Sequence, residues 1–197
     1  MKKYCLAAIT LLIFLGCSNN NKRADASAID SKNKIDSFFP VTSFIKGQIL
    51  VLDSLPVNPL QLTISAKKND SVWITKKELK PLLQPFLTPV ITETNLTKYF
   101  KETRFNDQTL NAITFTYDPV GILPDSIALR HWDIYINPET GFVTKIYLVK
   151  QFTENNQSLT QQLTWQTDKQ AKISTIVNKP DGNMELVKEV LFIWNFK

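Results

Sequence analysis

The stretch FVTKIYLVKQFTENNQSLTQQLTWQT, residues 142–167, carries two different kinds of strand and the turn between them. Its second half alternates: Leu159, Leu163 and Trp165 fall on one side, and Thr160, Gln162, Thr164 and Gln166 on the other. Period-two alternation is the mark of a strand buried on one face and wet on the other. Its first half is apolar on both sides, with Val143, Tyr147 and Val149 interleaved with Ile146 and Leu148. That pattern predicts a strand covered on both faces. Residues 154–157 are polar and short, so the two strands pair as an antiparallel hairpin, because parallel pairing needs a longer crossover.

The same reading extends outward. Residues 112–117, 127–136, 172–177 and 184–196 read as further strands, and Trp132, Ile134 and Ile136 share one side of the second. Asn137-Pro138-Glu139-Thr140-Gly141 and Lys179-Pro180-Asp181-Gly182-Asn183 are strong turn signals. Strands joined this tightly form an antiparallel meander in the C-terminal half. Residues 184–194, like 142–152, are apolar on both faces, which calls for a covering layer.

The N-terminal half supplies candidates for it. Phe38, Phe39, Phe44, Ile45, Ile49 and Leu52 recur at helical spacing, predicting a helix over 37–52 with Asp36 or Ser37 as its cap and Pro40 in its first turn. Residues 60–65 alternate as a strand, 67–70 turn, and 71–75 return. TKKELKPLL, residues 75–83, predicts a short helix capped near Thr75 or Lys76, and Thr94 or Asn95 can cap another through Leu96, Tyr99 and Phe100. Pro81, Pro85 and Pro89 exclude one long helix. The expected fold is α+β: a curved antiparallel sheet with the N-terminal helices packed on its concave face.

Ahead of this lies a leader. Lys2 and Lys3 precede the uncharged run LAAITLLIFL, residues 6–15, which is short of the ~20 apolar residues a membrane-spanning helix needs. It fits the apolar region of an export signal. The run ends Phe14-Leu15-Gly16-Cys17, which resembles the lipobox of bacterial lipoprotein precursors, with Phe14 and Leu15 where Leu and a smaller residue are usual. The resemblance implies a signal peptide over 1–16, cleavage before Cys17, and acylation of Cys17 by a diacylglycerol and a further chain such as palmitate. Several chains hold firmly where one would be marginal. Residues 17–34 then carry the lipidated cysteine and a polar tether with nothing to bury. Residues 35–197 form a single domain. Ser18 stands where inner-membrane lipoproteins carry Asp, so the resemblance implies the outer membrane. The absence of an acidic run after Cys17 implies its periplasmic face. The chain as a whole resembles small envelope lipoproteins of Bacteroidota.

Two local resemblances add to this. Tyr135 to Val143 (YINPETGFV) is similar to the strand–DPxTG–strand hairpin of PepSY-type and LolA-like periplasmic sheet domains, with Asn137 in place of the usual Asp. Asp53-Ser54-Leu55, Asp70-Ser71-Val72 and Asp125-Ser126-Ile127 resemble the O-glycosylation acceptor of Bacteroidota envelope proteins, which implies Ser54, Ser71 and Ser126 as candidate sites.

Composition narrows the chemistry. Hydrophobic residues make up 43% and charged residues 21%, ordinary for a folded domain. The formal charge of +5 is spread without a basic block, so nucleic-acid binding is not expected. Cys5 and Cys17 both belong to the leader region, leaving the domain without a disulfide or thiol nucleophile. His131 is the single histidine, no GxSxG is present, and the five glycines form no phosphate loop. His131 therefore reads as a surface or edge residue, and no catalytic residue, metal or cofactor is expected. Asp118, Asp125, Asp133, Glu139, Asp168 and Asp181 show no bracketed pair suited to glycoside hydrolysis. Trp73, Trp132, Trp165 and Trp194 are the candidates for a ligand cavity or interface, against the plainer role of core filler. Two functions fit: a membrane-anchored module that binds an envelope protein partner or scaffolds a complex, or a carrier holding a small hydrophobic or lipid ligand between sheet and helices.

The leader makes the first prediction. Cells expressing a Cys17→Ser chain should incorporate no labelled palmitate into it, and the chain should leave the membrane fraction; unchanged mass and fractionation would overturn the lipobox reading.

Overall fold

The computed structural model describes residues 37–66 and 68–196; the expected signal peptide, Cys17, the tether and the candidate cap Asp36 lie outside the described residues. Along the chain run α1 (Val41–Ser54), β1 (Leu60–Ser65), β2 (Asn69–Trp73), α2 (Lys76–Leu82), α3 (Gln84–Leu87), β3 (Phe100–Asp107), β4 (Ala112–Pro119), β5 (Leu129–Ile136), β6 (Val143–Glu154), β7 (Gln157–Gln166), β8 (Gln170–Asn178) and β9 (Met184–Ile193). All nine strands join one open, curved sheet in the order β2-β1-β9-β8-β7-β6-β5-β4-β3, every neighbour antiparallel. Only 16% of the described residues are helical, so the class is mostly β rather than the expected α+β.

The meander is larger than the C-terminal half. It begins at β3, in a segment whose charged and polar run hides it: Lys101, Arg104 and Phe105 of this edge strand are exposed, and only Phe100 is buried. An edge strand with so little to bury carries a weak period-two signal. The short helix expected after Thr94 is a run of turns instead, held by Tyr99 N–H donating to Leu96 O and Asn95 Nδ2 donating to Val90 O. At the other end of the sheet, β1 pairs with β9, Leu60 opposite Ile193 and Ile64 opposite Glu189. That pairing adds the β1–β2 hairpin to the last strand of the meander.

The turns explain the register. Asn155 and Asn156 both hold positive φ (49° and 60°), the requirement of the two-residue hairpin between β6 and β7. In the β5–β6 turn, Asn137 Oδ1 accepts from the N–H groups of Glu139 (2.8 Å) and Thr140 (3.0 Å), and Gly141 takes φ 71°. An Asp at that position would accept the same bonds, so Asn serves equally.

Helix α1 starts at Val41, four residues later than the periodicity predicts. Pro40 is its N-cap and disfavours helical backbone at Phe39. The freed segment pairs with the chain after α3: Phe38 N–H donates to Glu93 O (2.8 Å), Thr42 N–H to Ile91 O (3.2 Å), and Ile91 N–H to Thr42 Oγ1 (2.8 Å). Helix α2 is capped by Thr75 in a complete capping box with Glu78. The C-terminal end of α1 is closed by Lys76, whose Nζ donates to the carbonyls of Asp53 and Leu55. A cation there also suits the helix dipole.

One face of the sheet is covered by this N-terminal segment. Val41, Ile45 and Leu52 of α1, Leu79 of α2 and Phe86 of α3 share a single apolar cluster with sheet residues. Two cross-strand rows form the sheet's side of it: Phe192–Ala171–Trp165–Ile146–Ile134 and Val190–Ile173–Leu163–Leu148–Trp132–Tyr117. Trp132 lies stacked on Tyr117 (4.5 Å between centroids, 7° between planes) and meets the edges of Phe100 at 4.7 Å and Phe38 at 6.0 Å. Trp165 meets Phe86 at 5.5 Å and Trp194 at 5.3 Å. The other face is crossed by no described helix. Among the described residues no helix is long and apolar enough to cross a membrane.

Because Trp132 touches rings from three separate segments, Trp132→Ala should cost about 3–5 kcal/mol, read from the denaturant midpoint. Phe105→Ala, on the exposed edge, should stay within about 0.5 kcal/mol.

Candidate functional site

The uncovered face concentrates the titratable groups. Alternation along β5 puts His131, Asp133 and Tyr135 on that face, opposite the side holding Trp132 and Ile134. Register then places Thr116 of β4 and Tyr147 of β6 on either side of Asp133. Asp118 follows Thr116 by two residues and so projects from the same face.

These side chains form one network. His131 Nδ1 lies 2.7 Å from Asp118 Oδ1, and its Nε2 lies 3.0 Å from Asp133 Oδ2. Thr116 Oγ1 donates to Asp133 Oδ1 at 2.7 Å, and Tyr135 OH donates to Asp133 Oδ2 at 3.2 Å. Lys145 Nζ sits 3.7 Å from the centre of the Tyr135 ring, a cation–π contact. Asp133 is 8% exposed, whereas the Asp118 side chain is 60% exposed, so one end of the network is buried and the other open to water.

The electrostatics follow from that arrangement. The hydrogen bond to Asp133, with Asp118 adding to it against the cost of burial, raises the His131 pKa to about 9. Burial by itself would raise the Asp133 pKa, but hydrogen bonds from His131, Thr116 and Tyr135 and the charge on His131 outweigh it and hold the carboxyl below its usual value. Burial first, and then the Asp133 charge, push Tyr135 up to about 12. At neutral pH the imidazole is a cation with both ring nitrogens donating.

That state decides the chemistry. A general base needs a free ring nitrogen facing a nucleophile. Here each nitrogen meets a carboxylate, and the nearby hydroxyls of Thr116 and Tyr135 donate to Asp133 rather than to the ring. The cluster carries the parts of an Asp-His pair without the geometry of a nucleophile-activating triad. Among the described residues no group of three or more His, Cys, Asp or Glu could hold a metal ion.

The tryptophans separate into two kinds. Trp132 and Trp165 are fully buried and Trp194 nearly so, filling the space under the helices. Trp73 is 61% exposed, on edge strand β2, with its ring centre 5.7 Å from that of the exposed Phe196. Trp73 stands opposite Leu60, which stands opposite Ile193, and the next rows bring Leu62 with Leu191 and then Ile64 to the same face. An apolar tract therefore runs over β2, β1 and β9 on the uncovered face, reaching Ile64, 48% exposed. Ser54 ends α1, Ser71 lies in β2 and Ser126 in the loop before β5; all three are exposed.

His131 and Asp133 share a face by their spacing of two, which the sequence displays. Asp118 is brought to them only by the β4–β5 register. The apolar tract was less visible still, because it draws on β1 and β9, which lie far apart in the chain.

The network makes stability depend on pH in a fixed direction. A His131 pKa raised from its unfolded value contributes stability that is complete below about pH 6.5 and is lost as pH rises through about 9. Allowing for screening at the exposed Asp118, the loss should be about 1–2 kcal/mol, measured by urea unfolding at pH 6 and pH 9.5. His131→Gln should flatten that dependence. Asp133 acts on the acid side: its contribution is present above the ordinary carboxylate range and is lost as pH falls through its lowered folded value.

No family model matches this chain, and no curated protein or solved structure is detectably similar to it, so its function is read from its own geometry.

Proposed function

We propose that this chain is a lipid-anchored protein of the bacterial cell envelope, held through Cys17 at the periplasmic face of the outer membrane, which works by binding a protein partner rather than by catalysis. The observation that carries the reading is the apolar tract at the β2 end of the sheet. It lies beside an edge strand, and the two features together suit one kind of partner: an extended segment of another envelope protein that adds as a further strand.

The backbone supports that mode. Ser65 N–H donates to Lys68 O and Ile74 N–H donates to Pro59 O, so residues 68 and 74 turn their peptide groups toward β1. By alternation Asn69, Ser71 and Trp73 turn theirs outward. Main-chain hydrogen bonds to these would supply affinity, and a side chain lying between Trp73 and Phe196 would supply specificity. Asp70 guards the edge in the meantime, its Oδ1 accepting from Ser71 N–H at 3.0 Å. A carboxylate so placed discourages indiscriminate strand pairing. The cluster around His131, with both ring nitrogens engaged, supports the non-catalytic half of the reading.

The partner should be recovered by affinity capture of the full chain from detergent-solubilised envelope, in a fixed stoichiometry. Trp73→Ser should reduce that recovery at least tenfold while leaving the far-UV spectrum and the unfolding midpoint within error of the parent. Repeated recovery of the protein alone, or undiminished capture by Trp73→Ser, would overturn the proposal.

A further inference from the structure

On the covered face of the sheet lies a charged group that nothing balances. Lys150 of β6 is only 6% exposed. Its Nζ donates to the carbonyl oxygens of Pro85 in α3 and Thr88 just after it. An ammonium has three N–H donors, and among the described residues the third has no protein acceptor. No carboxylate among the described residues pairs with it. The side chains facing it are neutral: Leu129 and Gln161 opposite it on β5 and β7, and Gln84, Pro85, Thr88 and Pro89 from the helical segment. The nearest charge on its own cross-strand row is another cation, Lys188, beyond Gln161 and Thr175. Arg130, next along β5, turns its guanidinium to the carbonyls of Ile127 and Leu129.

A buried charge without a counter-ion is costly, which is why such groups are nearly always paired. Lys150 is moreover not sealed in. It lines a groove of about 480 Å³ together with Gln84, Pro85, Thr88, Pro89, Ser126, Ala128, Phe152 and Gln161. That volume is in the range of small-molecule sites. One wall is apolar, from Pro85, Pro89, Ala128 and Phe152. The opposite needs are met by the hydroxyls of Ser126 and Thr88 and the amides of Gln84 and Gln161.

We propose that this groove is a binding site for a small organic carboxylate, whose carboxylate group takes the free N–H of Lys150 and whose apolar body lies against Pro85, Pro89 and Phe152. The ligand supplies the negative charge that the surrounding elements lack. The site is separate from the edge proposed for the protein partner, being on the opposite face of the sheet and at β5–β7. Burial depresses the Lys150 pKa to about 8, so the unliganded amine begins to lose its proton just above neutrality, and a bound carboxylate would draw that proton back.

The test uses the full-length chain in detergent micelles, titrated calorimetrically with benzoate and, as a neutral shape-matched probe, benzamide. Benzoate should bind saturably and at least tenfold more tightly than benzamide at pH 7. Its apparent affinity should fall about tenfold between pH 7 and pH 9, following the protonated fraction of Lys150. Near pH 8 binding should be accompanied by proton uptake, seen as a difference in heat between two buffers of unlike ionisation enthalpy. Lys150→Met should abolish the preference for benzoate. No saturable benzoate binding at millimolar concentration, equal affinity for the two probes, or a Lys150→Met chain that still prefers benzoate would overturn the proposal. Should that variant not fold, the pH series on the parent chain decides, and an affinity unchanged from pH 7 to pH 9 would overturn it.

Discussion

Trp132 is the point at which three distant parts of the chain are held together. Its ring is stacked on Tyr117 from the neighbouring strand, and receives Phe100 from the start of the meander and Phe38 from the segment leading into α1. Tyr117 in turn accepts a hydrogen bond at its hydroxyl from the N–H of Phe39 (3.3 Å), so the same ring pair fixes where the N-terminal segment enters. A long, curved sheet has two faces to satisfy, and helices this short cannot stand by themselves. Aromatic packing at Trp132 and Trp165 gives α1, α2 and α3 a surface to rest on and gives the sheet its dry side.

The two faces handle buried charge in opposite ways. On the uncovered face His131 is placed between two carboxylates, and Asp133 is further satisfied by Thr116 and Tyr135. Within that network His131, Asp118 and Asp133 all meet an opposite charge, and the result is a polar seam across β4 and β5. On the covered face Lys150 has only carbonyl oxygens to meet it. Carbonyl dipoles orient an ammonium without neutralising it, so burial wins and its proton is loosened. Completeness of the first network is what removes His131 from base chemistry. Incompleteness of the second is what makes the Lys150 groove receptive to an anion.

The ends of the sheet differ as much as its faces. At β3 the edge is guarded by charged and polar side chains, with Arg104 stacked over Phe115 at 5.1 Å. At β2 a single carboxylate, Asp70, stands guard next to exposed Trp73 and Val72. An edge strand can be left sticky only where something is meant to cover it or where its side chains discourage pairing. The β2 edge has some of each, which sets it apart from the rest of the surface.

Period-two alternation fixed β1 to the residue and placed β7 within two residues, whereas β4, β5, β6, β8 and β9 were bounded within a few residues by apolar runs between turn signals. Turn chemistry fixed their neighbours, since Asn-Pro-Glu-Thr-Gly at 137–141 and Lys-Pro-Asp-Gly-Asn at 179–183 admit few backbone paths. The sharing of a face by His131 and Asp133 was legible from their spacing of two. The edge strand β3 was not, because a strand that buries almost nothing leaves no pattern. The start of α1 was displaced because Phe38 gains more by packing on Tyr117 and Trp132 than by joining a helix that Pro40 already interrupts. Which tryptophan is exposed, which carboxylates reach His131, and what surrounds Lys150 were decided only by the pairing of β1 with β9 and by the strand register. Those are long-range contacts, set by the order and register of strands across the whole sheet, and no local run of residues encodes them.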